Sequence, residues 1–375
     1  MADTDDGVDG FRTNAARFLD ASIADGTAFK AFGAILPPAI FEPTRAWQRR
    51  IFEAGFAGIH WPAEYGGRGL STDHAAAWAE ECARRGIASY MNFQGFVLAG
   101  AAIIKFGTQA QKERYLRDTL AANIIWCQLF SEPNSGSDLA SLQTRAVATA
   151  GGWLVSGQKV WSSTAQLSDH AILMARTDPA EPSHRGISFF LFDMRQEGVD
   201  IRPLKQMTGD SEFCEVFLED AFVSEDDLLG PVNGGWMVAM SVLADERASV
   251  GAAGLALQRQ LAEVAEMAGL NESARWGAVS LMSTGGAVGK LLSRSGGDPS
   301  LGPLTKLART ELDRGLTAYM NDVQGPGGML NSDAGDAFLY APGMRVAGGT
   351  SEIQRNLVGE RMLGLPREPK PPARD

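Results

Sequence analysis

Between about residues 121 and 230 the chain changes period, and that change restricts its fold more than any other feature. The runs HAILMART, GISFFLFDM, VDIRPL and EFCEVFLED are short, rich in β-branched and aromatic residues, and separated by turn residues. That is strand texture, suited to a small barrel or sandwich. On either side the apolar spacing is helical. Phe11, Ala15, Phe18, Leu19 and Ile23 share a face over about 11–25, and Thr44 stands where it could cap a helix carrying Trp47 and Ile51. Further helices are expected from Ser71 or Thr72 to Arg85, over about 92–106, and from Thr108 to Leu120. The last opens with the capping-box spacing T-x-x-Q of Thr108 and Gln111. Beyond Asn233 helices return, over about 234–268, 272–294, 301–323 and 351–363, with Gly325–Gly335 as a flexible connector. The expected class is α+β, with a helical domain over 1–120, a β domain over 121–230 and a helical-bundle domain over 231–375.

Composition removes several function classes. The net charge of −11 argues against a nucleic-acid or anionic-membrane binder. Cys82, Cys127 and Cys214 are odd in number and far apart, which suits neither a disulfide framework nor a metal site and points to a reducing cytosol. The acidic start MADTDDGVDG lacks an apolar signal core, and no apolar run reaches membrane-span length.

Trp126–Ser163 is the most specific stretch. WCQLFSEPNSGSD is a loop by composition, with Pro133, Gly136 and the small polar residues Ser131, Asn134, Ser135 and Ser137. RAVATA and WLVSGQKVWSS then form a hairpin through a Gly151–Gly152 turn. Hydroxyls and amides in the loop can meet the edge of a planar polar ring, while the Trp161 indole covers part of its face.

SEPNSGSD followed by SGQKVWSS, and VAGGTSEIQRN at 346–356, resemble the flavin signature of the acyl-CoA dehydrogenase family. The resemblance implies three sub-domains, FAD as cofactor, and oxidation of an acyl-CoA thioester to its trans-2-enoyl form. It places Gln128, Leu129, Phe130, Ser131, Gly136, Ser137, Trp161, Ser162 and Ser163 at the flavin, with Ser131 at the pyrimidine edge and Ser163 near N5 and O4. Thr350 and Glu352 belong to the cofactor site too. Ser137, Asp245, Arg247 and Gly349 fall to the substrate, and Gly348 N–H to the thioester oxygen. His184 and Arg185 could meet a CoA phosphate.

The family's most common base precedes the G-T segment, where this chain has Gly348. A minority of the family carries the base in an L-x-x-E-R stretch, here LADER, with Glu246 at the matching position. The spacing supports this independently, because Ala239, Leu243, Glu246 and Val250 share one helix face. A carboxylate on an apolar face loses hydration, which shifts it toward a useful base. Against this stands the ordinary reading of Glu246 as an ion-paired or rim residue.

The R-x-x-F-G segment that covers the cofactor's ADP half in many members is missing, and Q-x-x-G-G survives only as VQGPGGM (Val323–Met329). WCQLFSEP, LADER and GERMLGLPRE resemble a bacterial branch that pairs two different subunits and acts on CoA thioesters of steroid side chains. The expected partners are therefore acyl-CoA, an electron-transfer flavoprotein or similar acceptor, and a homo- or hetero-tetramer. An acyl-CoA oxidase or flavin monooxygenase on the same fold, and a non-catalytic chain completing a neighbour's FAD site, are the competing functions.

Overall fold

The computed structural model describes residues 7–32, 35–251, 254–267, 272–295 and 298–367; the side chains of 245–251, 254–256, 259, 273 and 299 lie outside that description. Two compact units emerge, Met1–Asp245 and Glu246–Asp375.

The first unit opens with helices α1 (Val8–Ala24), α2 (Phe41–Glu53), α3 (Thr72–Arg85), α4 (Gly100–Phe106) and α5 (Gln109–Leu120). Helix α3 stops at Gly86, whose φ of +67° takes the left-handed conformation that ends a helix cheaply only at glycine. The capping box of α5 is complete: Gln111 N–H donates to Thr108 Oγ1 at 3.2 Å, and Thr108 N–H to Gln111 Oε1 at 2.9 Å. Gln111 Nε2 also donates to the carbonyls of Asp226 and Leu228 at 2.8 and 2.9 Å, which ties this helix start to the far end of the strand block. Thr44 is not a cap. Helix α2 begins three residues earlier, and the buried Thr44 hydroxyl donates back to Ile40 O at 2.6 Å from inside it. The 92–106 segment enters α4 through a π-helical turn, Gln94–Ala99.

The strands are β1 (Trp126–Leu129), β2 (Arg145–Thr149), β3 (Gly152–Ser163), β4 (His170–Arg176), β5 (Ile187–Asp193), β6 (Val199–Leu204) and β7 (Phe213–Ser224). They form one sheet in the order β1-β4-β2-β3-β7-β6, with β5 antiparallel on β4. Strands β1 and β2 share one edge of β4, pairing at Trp126–His170 through Leu129–Leu173 and at Arg145–Arg176. The sheet curls around its own core of Cys127, Leu129, Val155, Leu173, Phe190, Phe192, Cys214 and Val216. The alternate residues Trp126, Ile172, Met174, Phe189 and Leu191 pack instead with Leu98, Ile103, Leu116 and Leu120 of the helices. Strands β4 and β5 are thus apolar on both faces, which is why they read as continuous hydrophobic runs. The β2–β3 turn is Ala150–Gly151, with Gly152 already paired to Thr149.

Helix α6 (Gly235–Gly251) starts hard against β5, burying Val238, Ala239 and Val242. The second unit continues with α7 (Gly254–Met267), α8 (Glu272–Ser295), α9 (Gly302–Val323), α10 (Asp333–Val346) and α11 (Ser351–Leu357). The connector expected at Gly325–Gly335 is a short 3₁₀ turn, Gly325–Met329, followed by the start of α10. Among the described residues no helix is long and apolar enough to cross a membrane.

A Cβ on Gly235 would lie 2.5 Å from Ser188 C and 2.7 Å from Phe189 N. These are backbone atoms that cannot step aside. Gly235→Ala is expected to destabilise the protein by about 1–3 kcal/mol, measured by chemical denaturation.

Candidate active site

The loop after β1 is held by an ion pair that the sequence reading did not single out. Lys159, on β3, is fully buried, and its Nζ lies 2.9 Å from Glu132 Oε1 and 3.1 Å from Phe130 O. The Glu132 carboxylate also accepts from Gln143 N–H at 2.6 Å and Thr144 N–H at 2.9 Å. Ser131 O takes Val160 N–H at 2.9 Å, and Glu132 and Ser135 exchange backbone hydrogen bonds around Pro133–Asn134. The E of SEP and the K of GQK are therefore two halves of one buried contact. Their signal in the sequence was a lysine at an inward position of an otherwise core-facing strand. Burial draws the Lys159 ammonium down to about 8 against the pull of Glu132. For Glu132, burial pushes upward, but Lys159 and the two N–H donors outweigh it and hold the carboxyl below its usual range.

Just beyond Lys159 the β3–β7 register slips. Lys159 pairs with Val216 and Ser162 with Cys214, so Val160 and Trp161 stand opposite the single residue Glu215. This bulge turns Trp161 to φ +60° and leaves its indole 60% exposed, edge-on to Phe213 at 6.0 Å. A bulky aromatic in left-handed backbone is strained, and bulges re-aim side chains at functional sites. Ser162 turns inward, fully buried, and its Oγ has no partner among the described residues. Ser163 is partly exposed at the strand's end.

The loop presents Gly136 and Ser137 to solvent, with Ser131 and Gln128 partly buried. Leu129 and Phe130 send their side chains into the core, so only their backbone could meet a cofactor. An exposed indole, small hydroxyl side chains and an orphaned buried Ser162 Oγ fit a planar ring with polar edges, as FAD's flavin is. Glu212, one residue before β7, is buried and leaves Oε2 without a partner. Its carbonyl accepts Thr164 N–H at 2.7 Å. Burial, with Asp210's charge adding, pushes its carboxyl up to about 7.

In the second unit Gly348 and Gly349 take φ of +65° and +99°, and Thr350 caps α11 by accepting Ile353 N–H at 3.3 Å. Glu352 sits in the first turn of α11, exposed, 3.6 Å from Arg355. Asp245, Glu246 and Arg247 lie on α6, and their side chains fall outside the described residues. Upstream on that helix, Ala239 is buried and Leu243 packs on the core, as the apolar face requires. His184 and Arg185 are exposed, Arg185 beside Glu181 at 3.6 Å and His184 6.4 Å from the Trp236 ring.

Three family models cover most of the chain: acyl-CoA dehydrogenase N-terminal domain at 9–123, middle domain at 127–221 and C-terminal domain at 256–363. Acyl-CoA dehydrogenase IpdE1 of Mycobacterium tuberculosis is 38% identical over 88% of this chain and 90% of its own length. Acyl-CoA dehydrogenase FadE34 of the same organism is 38% identical over 87% of this chain, which spans only 47% of that protein. Among solved structures, a variant of the Tcur3481-Tcur3483 steroid ACAD matches with a TM-score of 0.81 at 25% identity, covering 96% of this chain and 99% of that one. The ChsE4-ChsE5 complex from M. tuberculosis matches with a TM-score of 0.75 at 25% identity, over 96% and 97%.

Two outcomes are expected. Lys159→Met strands a buried carboxylate and should cost about 3–5 kcal/mol in chemical denaturation, part of which Glu132→Gln restores in the double variant. Glu212 binds its proton more tightly folded than unfolded. Its stabilising contribution is therefore full below the ordinary value of 4.5 and lost as pH rises through about 7. Tm measured from pH 4.5 to 8 should fall more steeply for the natural chain than for Glu212→Gln.

Proposed function

The chain belongs to the acyl-CoA dehydrogenase family of FAD-dependent oxidoreductases, and on that footing we propose that it oxidises an acyl-CoA thioester to the trans-2-enoyl-CoA with Glu246 as base. The observation that carries this reading is the complementary pair of residues. Gly348 has no carboxylate where the family's common base stands, and α6 carries Glu246 in line with the apolar positions Ala239 and Leu243.

When bound, FAD would supply the hydride acceptor for the substrate β-carbon. The remaining roles at the reacting end of the site fall to residues of this chain. Trp161, Ser162, Ser163 and the loop from Gln128 to Ser137 orient the ring, with the Lys159–Glu132 pair fixing the loop. Glu246 takes the α-proton. The amide N–H of Gly348 donates to the thioester oxygen as negative charge builds there. Asp245, Arg247, Ser137 and Gly349 hold the CoA moiety, and Thr350 and Glu352 hold the cofactor's outer part.

We assign the acyl group to the steroid side-chain class, with a second, different subunit completing the ADP half of the cofactor site. The matching solved structures, a steroid ACAD and a two-component complex, support this. The apolar stripe on α8, where Trp276, Val279 and Met282 are 72%, 55% and 43% exposed, is a surface suited to burial in an assembly of either kind.

Glu246→Gln should lower turnover by roughly 10²–10⁴-fold while flavin stays bound, assayed with an acyl-CoA panel and an electron-transfer flavoprotein as acceptor. Unchanged turnover would remove Glu246 from the mechanism, and peroxide production in place of acceptor reduction would make the protein an oxidase.

A further inference from the structure

Helix α8 has two opposed faces, and the described residues of this chain cover only one. Ala278, Leu281, Val288 and Leu292 pack inward with Leu261 of α7 and with Leu312 and Leu316 of α9. On the other side Glu272, Trp276, Val279, Ser283, Gly286 and Lys290 are all exposed, at alternating intervals of four and three residues. That spacing keeps the six positions in one stripe, and it is the spacing with which one helix packs along another.

The two halves of the stripe differ in bulk. The first half carries the large side chains of Trp276 and Val279. In the second half a Cβ on Gly286 or Gly289 would meet nothing within 4 Å beyond the helix's own turns. Neighbouring Gly285 is explained from within, because a Cβ there would lie 2.6 Å from the Leu261 side chain. Gly286 and Gly289 have no such reason, and glycine weakens a helix interior. With Lys290, and with Leu257 and Leu261 of α7, they line a groove of about 310 Å³. An exposed indole and an open groove ten residues further along one helix match each other in a second molecule turned end for end.

We propose that the exposed face of α8 pairs with the same face of a second copy of this chain, antiparallel about a two-fold axis level with residue 281. A two-fold contact is reciprocal, so every pairing occurs twice. This axis sets Trp276 against Gly286 of the second copy, Val279 against Ser283, and Glu272 against Lys290. Bulk then meets space, and negative charge meets positive at both ends of the stripe. A parallel pairing in register would set Trp276 on Trp276 and each charge on its like. A different subunit would require neither the matched offset nor charges that complement this chain's own. The subunit proposed above for the ADP half of the cofactor site therefore belongs on another surface.

The test uses the full-length protein in its purified assembly. Glu272 and Lys290 are 18 residues apart on one helix, about 27 Å at 1.5 Å per residue, too far for a disulfide within one chain. The double variant Glu272→Cys/Lys290→Cys should give a covalent dimer under mild oxidation, read on a non-reducing gel and by mapping the linked peptides, while neither single variant does. The natural Cys82, Cys127 and Cys214 are buried and stay out of the reaction. Gly286→Leu fills the groove without touching the inner face, and should halve the copies of this chain per particle in native mass spectrometry with helical circular dichroism retained. Glu272→Lys should raise the dissociation constant between copies about tenfold, and adding Lys290→Glu should restore it. A cysteine pair that stays monomeric, or that links to a different subunit, overturns the proposal, and so does an unchanged copy number in Gly286→Leu. None of these readouts involves turnover, so their failure leaves the dehydrogenase reading standing.

Discussion

A lysine without water around it is costly, and Lys159 is fully buried in the middle of β3. The cost is tolerable only because Glu132 and the Phe130 carbonyl reach it, and they reach it only if the loop after β1 folds back over the strand. Glu132 in turn gathers the backbone N–H groups of Gln143 and Thr144, just before β2. One ion pair therefore closes a loop of small polar residues against a sheet and fixes where its hydroxyls stand. The strained turn at Trp161 follows two residues later, on a strand that this contact already anchors. The position of this loop is set by charge buried behind it, and a buried lysine recurs in the second unit, where Lys306 donates to the carbonyl of Gly349.

Much of the architecture was legible because it rests on local chemistry. The capping box at Thr108, the glycine stop at Gly86 and the two-sided apolar strands β4 and β5 each carry a signal within a few residues. What escaped notice depends on where a helix actually starts and on which positions become buried. Thr44 looks like a cap until its hydroxyl is seen bonding Ile40 O inside a helix that starts earlier. Helix α10 holds Gly335, Pro342 and Gly343, all breakers by composition, and buries little beyond Ala341, so it has no apolar period to read. Its one local sign was Ser332, which accepts Gly335 N–H at 3.1 Å.

At the site the same division holds. The polar loop after β1 and a strand that presents Trp161 were legible, since small hydroxyls and glycine mark a loop by composition and the indole is 60% exposed at the strand's end. The Lys159–Glu132 pair, 27 residues apart, and the unpartnered carboxyl of Glu212 were not, because burial decides their meaning. Gly348 was informative through what it lacks. It has no side chain to offer as a base, and its backbone takes a left-handed φ of +65°.

Proton abstraction from α6, with the glycine turn keeping only the donor role, is the central claim. Solvent exchange at the substrate α-carbon tests it most directly. The purified flavoprotein would be held in D₂O with an acyl-CoA it binds, without an electron acceptor, and deuterium at Cα followed by mass spectrometry. The natural chain should exchange the α-proton, and Glu246→Gln should stop it while Gly348→Ala slows it without abolishing it. Exchange that persists at the natural rate in Glu246→Gln would contradict the claim.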